Sequence, residues 1–206
     1  MHTATQVLAI GAAACFIAAT LTLLRVHLLP TGLTPLSDAV SDYGAGAYHR
    51  YYRAMVVLLG AGTGLLVVGL ARDSEAGALG LTFLGIYAAA RLAIAWFMTD
   101  LPGRPVTTEG RVHLVLAAIA FTSIAFGASD VTTSVQDSPG WNGGVSGVLL
   151  FESRAIVVTA VLTLVAYLVP QVRERAFGAV ERLLYVAGVA WLVTTATHLA
   201  VLAAGG

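Results

Sequence analysis

Six long apolar stretches, separated by short breaks, decide what this chain can become. They run over approximately 7–29, 54–70, 78–98, 112–128, 151–169 and 179–203. Each is near the roughly 20 residues that a helix needs to cross bilayer hydrocarbon. The breaks carry turn chemistry: Pro30, Gly32 and Pro35, then 73–77, then Pro102, Gly103 and Pro105, then 139–144, then Pro170 and Gly178. In lipid the backbone must satisfy its own polar groups, so the stretches are predicted to be helices. Only 11 % of the 206 residues are charged, against about 25 % in a soluble domain. The expected fold is all-α: a polytopic integral membrane protein, one bundle of six transmembrane helices over 1–206. The pieces between spans are too short to build a core of their own.

Other classes fall away on chemistry. Net charge is zero, whereas nucleic-acid binding draws on a basic face that releases counterions; no nucleic-acid partner is expected. All basic side chains are arginine, which removes Schiff-base chemistry and a phosphate-binding loop with its lysine. Cys15 is the one cysteine, so no disulfide forms within the chain. No cofactor follows from these residues.

Six spans place both termini on one side of the membrane. The opposite side then carries Arg25, Arg50, Arg53, Arg104, Arg111, Arg173, Arg175 and Arg182, and the side of the termini only Arg72 and Arg154. Positive charge marks the cytoplasmic side. The expectation is a multi-pass protein of the cell membrane with both termini extracytoplasmic. The opening MHTATQV lacks a basic n-region, so the first span is expected to be retained.

The arginine-rich side also gathers the unusual polar residues. SDAVSDYGAGAYHRYYR, 37–53, supplies Asp38, Ser41, Asp42, Tyr43, His49 and Arg50. TDLPGRPVTTEGRVH, 99–113, supplies Asp100, Arg104, Thr108, Glu109, Arg111 and His113. The tetrapeptide Arg-Val-His-Leu occurs at 25–28 and again at 111–114, which brings His27 and His113 toward the same face. Arg91 stands inside the third span, and intramembrane ionisable groups face the bundle interior and find partners. Asp42 or Asp100, reaching in from the same side, is the expected partner; Asp42 would meet it from a connection folded back over the bundle as a partly buried cap. Gly44 and Gly46 permit the tight backbone. Glu152 and Arg154 are expected at the water-facing start of span five. Thr107 or Thr108, with Glu109, reads first as the cap of span four.

The motifs SDYGAG, TDLPGRPVTTEGRVH and GAVERLLYVAGVAWL, with their spacing relative to the spans, resemble the bacterial and archaeal domain-of-unknown-function 998 membrane proteins over nearly the whole chain. The resemblance maps onto Ser41, Asp42, Tyr43 and Gly44; onto Asp100, Gly103, Thr108, Gly110 and His113; and onto Glu181, Arg182 and Trp191. It implies the architecture and no activity. A looser similarity in helix number links the chain to six-helix eukaryotic proteins of GPI-lipid remodelling and autophagy modulation, which place the first loop outside the cytoplasm, opposite to the arginine count.

The leading functional expectation is a polar, arginine-rich site that binds or acts on a membrane-lipid head group. Arginine forks match phosphate, and Ser41, Tyr43, His49, Arg50, Arg91, Asp100, Arg104, Thr108 and Arg111 are the candidate binding residues. Asp42 or His113 would serve as general base if chemistry follows. A zinc hydrolase would draw on His27, His49 and His113 with Asp42 or Asp100, although no histidine pair at helical spacing is present. A haem held by His27 and His113, and a transporter or assembly subunit without chemistry, are the further readings.

Overall fold

Every apolar stretch forms a helix, most of them longer than the stretch that seeds it and the third one shorter. The computed structural model describes residues 2–101 and 103–205, with His2 and Asp73 described by backbone alone. Pro102, assigned above to a break, lies outside the described residues. The helices are α1 (His2–His27), α2 (His49–Asp73), α3 (Ala78–Ile94), α4 (Thr108–Val135), α5 (Gly144–Leu168) and α6 (Pro170–Gly205), with a 3-10 helix at Val40–Ala45. Among the described residues there is no strand. Five helices are long and apolar enough to cross a membrane, and α3, with 17 residues, is shorter.

Several boundaries differ from the sequence reading: α2 already begins at His49, so 49–53 are helical and not part of the connection, and α3 ends at Ile94, short of 98. α6 begins at Pro170 rather than near Ala179. Proline at the first helical position loses no hydrogen bond and has its φ already set, so the residue read as a breaker starts a helix. α5 begins at Gly144 rather than Phe151, which places Glu152 and Arg154 two turns inside the helix instead of at its start. α4 runs on to Val135, so Asp130 is helical and not part of a connection.

Neighbours in sequence are neighbours in space. Each helix packs on the next, α1 packs on α6 to close the ring, and α2 touches α6 across the middle. Phe16, Met55, Leu59, Leu84, Ile156 and Trp191 are fully buried between them. Inside lipid the hydrophobic effect does not draw helices together, so close backbone approach and hydrogen bonds between helices matter more. Trp191 Nε1 donates to Thr132 Oγ1 at 2.9 Å, joining α6 to α4 in the buried interior.

The two ends of α3 meet opposite ends of α4. At its start, Gly77 N–H donates to Ser134 Oγ (2.9 Å) and Gly80 N–H to Asp130 Oδ2 (2.8 Å). These are orphan donors of a helix N-terminus, and α4 supplies the acceptors. Just past the other end, the Phe97 carbonyl meets His113, in the second turn of α4. The two helices are therefore antiparallel, and α3 carries the chain back along the bundle.

Gly80 is where this pairing is tightest: a Cβ there would sit 2.8 Å from Asp130 Oδ2 and 2.9 Å from the Val131 backbone nitrogen. Gly80→Ala is expected to lower stability by about 1–3 kcal/mol, the usual cost of overpacking. Thermal unfolding of the detergent-solubilised protein measures it, and an unchanged midpoint would refute the close approach.

Candidate functional site

The first connection does fold back over the bundle. Val40, Asp42, Tyr43 and Gly44 of its 3-10 helix are buried, with Asp42 6 % and Tyr43 2 % exposed. α6 holds it there. The N–H groups of Gly178 and Ala179 donate to the carbonyls of Ser37 (3.2 Å) and Leu36 (2.9 Å), and a side chain at Gly178 would collide with the Asp38 carbonyl. One turn later Glu181, buried, accepts the Val40 N–H on Oε2 at 2.6 Å.

Arg182 gathers the rest. Its Nε donates to His27 Nε2 (2.8 Å), one terminal nitrogen to the carbonyls of Asp38 and Gly178 (2.8 Å each), and the other to the Tyr43 hydroxyl (3.2 Å). Arginine only donates, so His27 Nε2 is an acceptor and the ring proton sits on Nδ1, where it meets the Leu23 carbonyl at 2.7 Å. One guanidinium thus ties α1, the connection and α6 together.

Arg91 finds other company than expected. It is 2 % exposed, and it donates to the Tyr185 hydroxyl at 2.8 Å instead of to Asp42. The rings of Tyr185, Tyr87 and Phe121 surround its guanidinium carbon at 4.8, 5.3 and 5.3 Å. Cation–π contact of this kind gains strength on desolvation. Asp42 is occupied elsewhere: its Oδ2 accepts the Ala39 N–H at 2.9 Å, capping the 3-10 helix it belongs to. Beside Arg91 the free space amounts to about 10 Å³, the room of one water. No head group enters there.

His113 is buried and turned inward. A carbonyl only accepts, so Nδ1 donates to Phe97 O at 2.9 Å, and Nε2 keeps its lone pair with no partner among the described residues. The Tyr52 ring stacks on His113 at 6.2 Å and also lies against Gly44, where a Cβ would sit 2.8 Å from Tyr52 Cδ1. Tyr52 therefore stands between the 3-10 helix that carries Asp42 and the imidazole. Asp42 and His113, the two candidate bases, thus lie on opposite sides of the Tyr52 ring.

The remaining expected residues divide into structural and peripheral. Asp100 receives the Thr107 N–H and the Thr107 hydroxyl, both at 2.8 Å, and Thr107 Oγ1 accepts the Gly110 N–H at 3.0 Å. Thr107 is thus the N-cap of α4, and Asp100 holds the cap; a side chain at Gly110 would overlap that carboxylate. His49, Arg50, Arg104, Thr108 and Arg111 are exposed and Ser41 is half-buried. Among the described residues no three histidine, cysteine, aspartate or glutamate side chains converge as a metal site would require. The His27 ring has both nitrogens engaged, which leaves none for haem iron.

Glu181, Arg182 and Tyr185 were not among the expected site residues, although the signal was present. Gly178, Glu181, Arg182 and Tyr185 fall at i, i+3, i+4 and i+7, one face of a helix. An adjacent acid and base on that face of an apolar run marks a buried polar stripe. Reading Arg182 as cytoplasmic charge, and Glu181 with Arg182 as letters of a family motif, hid it.

The fold and this network define a multi-pass membrane protein with a polar latch at one end of its bundle. The chain belongs to the family described as protein of unknown function (DUF998), whose model matches residues 9–198. Neither a curated protein nor a solved structure matches it.

Asp42 gives the latch a pH dependence. Burial pushes its carboxyl up from 3.8 to about 6, the Ala39 N–H opposes, Asp38 raises it and Arg182 lowers it. A raised acid favours the folded state while protonated: that stability is complete below pH 3.8 and is lost as pH rises through about 6. The difference is about 3 kcal/mol at 1.36 kcal/mol per unit. Asp42→Asn keeps the acceptor for Ala39 and removes the titration. Relative to the parent it should gain up to about 3 kcal/mol between pH 4 and pH 7, read from denaturation midpoints across that range. Parallel profiles would refute it.

Proposed function

We propose that this protein is a six-span bundle whose arginine-bearing end holds anionic lipid head groups around the closed latch. The carrying observation is the distribution of charge on a neutral chain. At that end Arg25, Arg50, Arg53, Arg104, Arg111, Arg173 and Arg175 are exposed, against exposed Glu109 and Glu174 alone. At the other end exposed Arg72 and Arg154 are balanced by exposed Glu75 and Asp137. A leaflet of anionic lipid attracts each such arginine by about 1 kcal/mol.

Because the space under the cap is closed, the reading assigns binding to the rim: Arg50, Arg104 and Arg111, with His49 and Thr108 beside them. Arg53 and Trp96 add an interfacial pair, the guanidinium carbon 5.2 Å from the indole centroid and Nε donating to the Ala95 carbonyl at 3.0 Å. Tryptophan is at home at the head-group level. Arg91, Asp100 and Asp42 then support the rim and do not touch lipid. His113 keeps the role of base only for a substrate that displaces Tyr52.

The sixth span is α3, and its antiparallel run along α4 supports this. Its 17 residues cover about 26 Å at 1.5 Å per residue, close to a hydrocarbon core of about 30 Å. The same arginines support a cytoplasmic latch and extracytoplasmic termini. In a Cys15→Ser background, a cysteine at Gly205 should react with an impermeant thiol reagent on intact cells. Reaction only after permeabilisation would reverse the orientation.

Lipid binding is tested by replacing Arg50, Arg104 and Arg111 together with glutamine. Loss of about 3 kcal/mol of surface attraction predicts roughly 100-fold weaker retention of phosphatidylglycerol over phosphatidylcholine in native mass spectra. Equal retention by parent and variant would overturn the reading.

A further inference from the structure

A groove of about 740 Å³ opens between α5 and α6. Gly147, Ala155, Ala187 and Ala190 keep its floor shallow. Its flanking side chains Phe151, Leu183 and Val186 are 74, 55 and 66 % exposed, so the groove opens sideways, toward lipid. No residue of the latch lines it.

One ionisable group lines this apolar groove: Glu152. It is the ninth residue of α5, about 12 Å along the helix from Gly144 at 1.5 Å per residue. Its Oε1 accepts from Thr194 Oγ1 at 3.0 Å, while Oε2 is buried without a partner among the described residues. A carboxyl group at this depth is costly, and groups of this kind mark binding sites or pathways rather than packing.

We propose that the groove binds a neutral lipid whose head is a free hydroxyl, such as a diacylglycerol or a long-chain isoprenoid alcohol. Charge selects this class. No cation lines the groove, so a phosphate head would meet a carboxyl group without compensation. A bare acyl chain would fill the volume but leave Oε2 unpaired. A hydroxyl both donates and accepts, so it pairs with Glu152 whether the carboxyl is ionised or protonated. Thr194 fixes the other oxygen and so aims the free one. The volume falls within the range of small-molecule sites, enough for the head and the first part of a chain, with the remainder lying along the exposed flank in the bilayer.

The test uses the full chain in phosphatidylcholine nanodiscs with a diacylglycerol that carries a photoreactive group in one acyl chain. Cross-links are expected on α5 and α6 peptides, displaced by unlabelled diacylglycerol and not by phosphatidic acid. Glu152→Ala should reduce labelling at least fivefold, and Ala187→Leu, which fills the groove and leaves the carboxyl in place, should do the same. Labelling spread evenly over all lipid-facing helices would overturn the proposal. So would equal displacement by phosphatidic acid, or unchanged labelling in Glu152→Ala. If a variant fails to fold, displacement on the parent protein decides alone.

Discussion

A guanidinium with four acceptors holds this molecule's polar end together. Arg182 is half-buried, and each of its nitrogens is engaged: by His27 from α1, by two backbone carbonyls, and by Tyr43 from the connection. In a medium without water an unmet donor or carbonyl costs far more than a made bond gains. The connection has many such groups and little regular structure to satisfy them. Arg182, together with Glu181 and the Gly178 and Ala179 amides, answers that need from one face of one helix. The cap, the burial of Asp42 and the position of Tyr52 follow from it.

Arg91 solves a different problem by different means. It makes no ion pair with a carboxylate among the described residues; three aromatic rings surround its charge, and one of them, Tyr185, also accepts its hydrogen bond. The two arginines are thus a hydrogen-bonded hub and an aromatic-caged cation. The sequence reading expected a third kind, an ion pair with an acid reaching in from the same side, Asp42 before Asp100. In the fold the Asp42 carboxylate is consumed locally by the Ala39 amide, the default for an aspartate at the start of a short helix.

How far the sequence could be read depended on the range of the forces involved. Apolar length is a local property, so the helices were legible, and Pro170 was misjudged only because proline both breaks and begins helices. Thr107 as the α4 cap was legible because a cap needs only its own next turn. The partial burial of this connection, at Val40 and 42–44, was legible from its apolar and aromatic residues, whereas Gly46 is exposed and 49–53 already belong to α2. Which groups it meets was not, because Val40 and Glu181 are separated by most of the chain and no local pattern pairs them. Asp100 illustrates the same limit: its partner lies across a connection, and a carboxylate near a membrane face looks alike whether it caps a helix or binds a ligand.

α6 has 36 residues, about 54 Å at 1.5 Å per residue, well beyond the roughly 30 Å of a bilayer core. Its first turns, 171–175, are exposed, while the turns behind them carry the latch, then Tyr185 against Arg91, then Trp191 against Thr132, then His198 against the Gly140 carbonyl. A continuous helix is stiff along its axis, so this one works as a shaft geared at four levels. A push on the protruding tip, by a protein or by lateral pressure in the head-group layer, would arrive at every level at once, including the wall of the groove near Thr194. The two ends of the molecule, opposite in chemistry, are joined mechanically by a single piece of secondary structure.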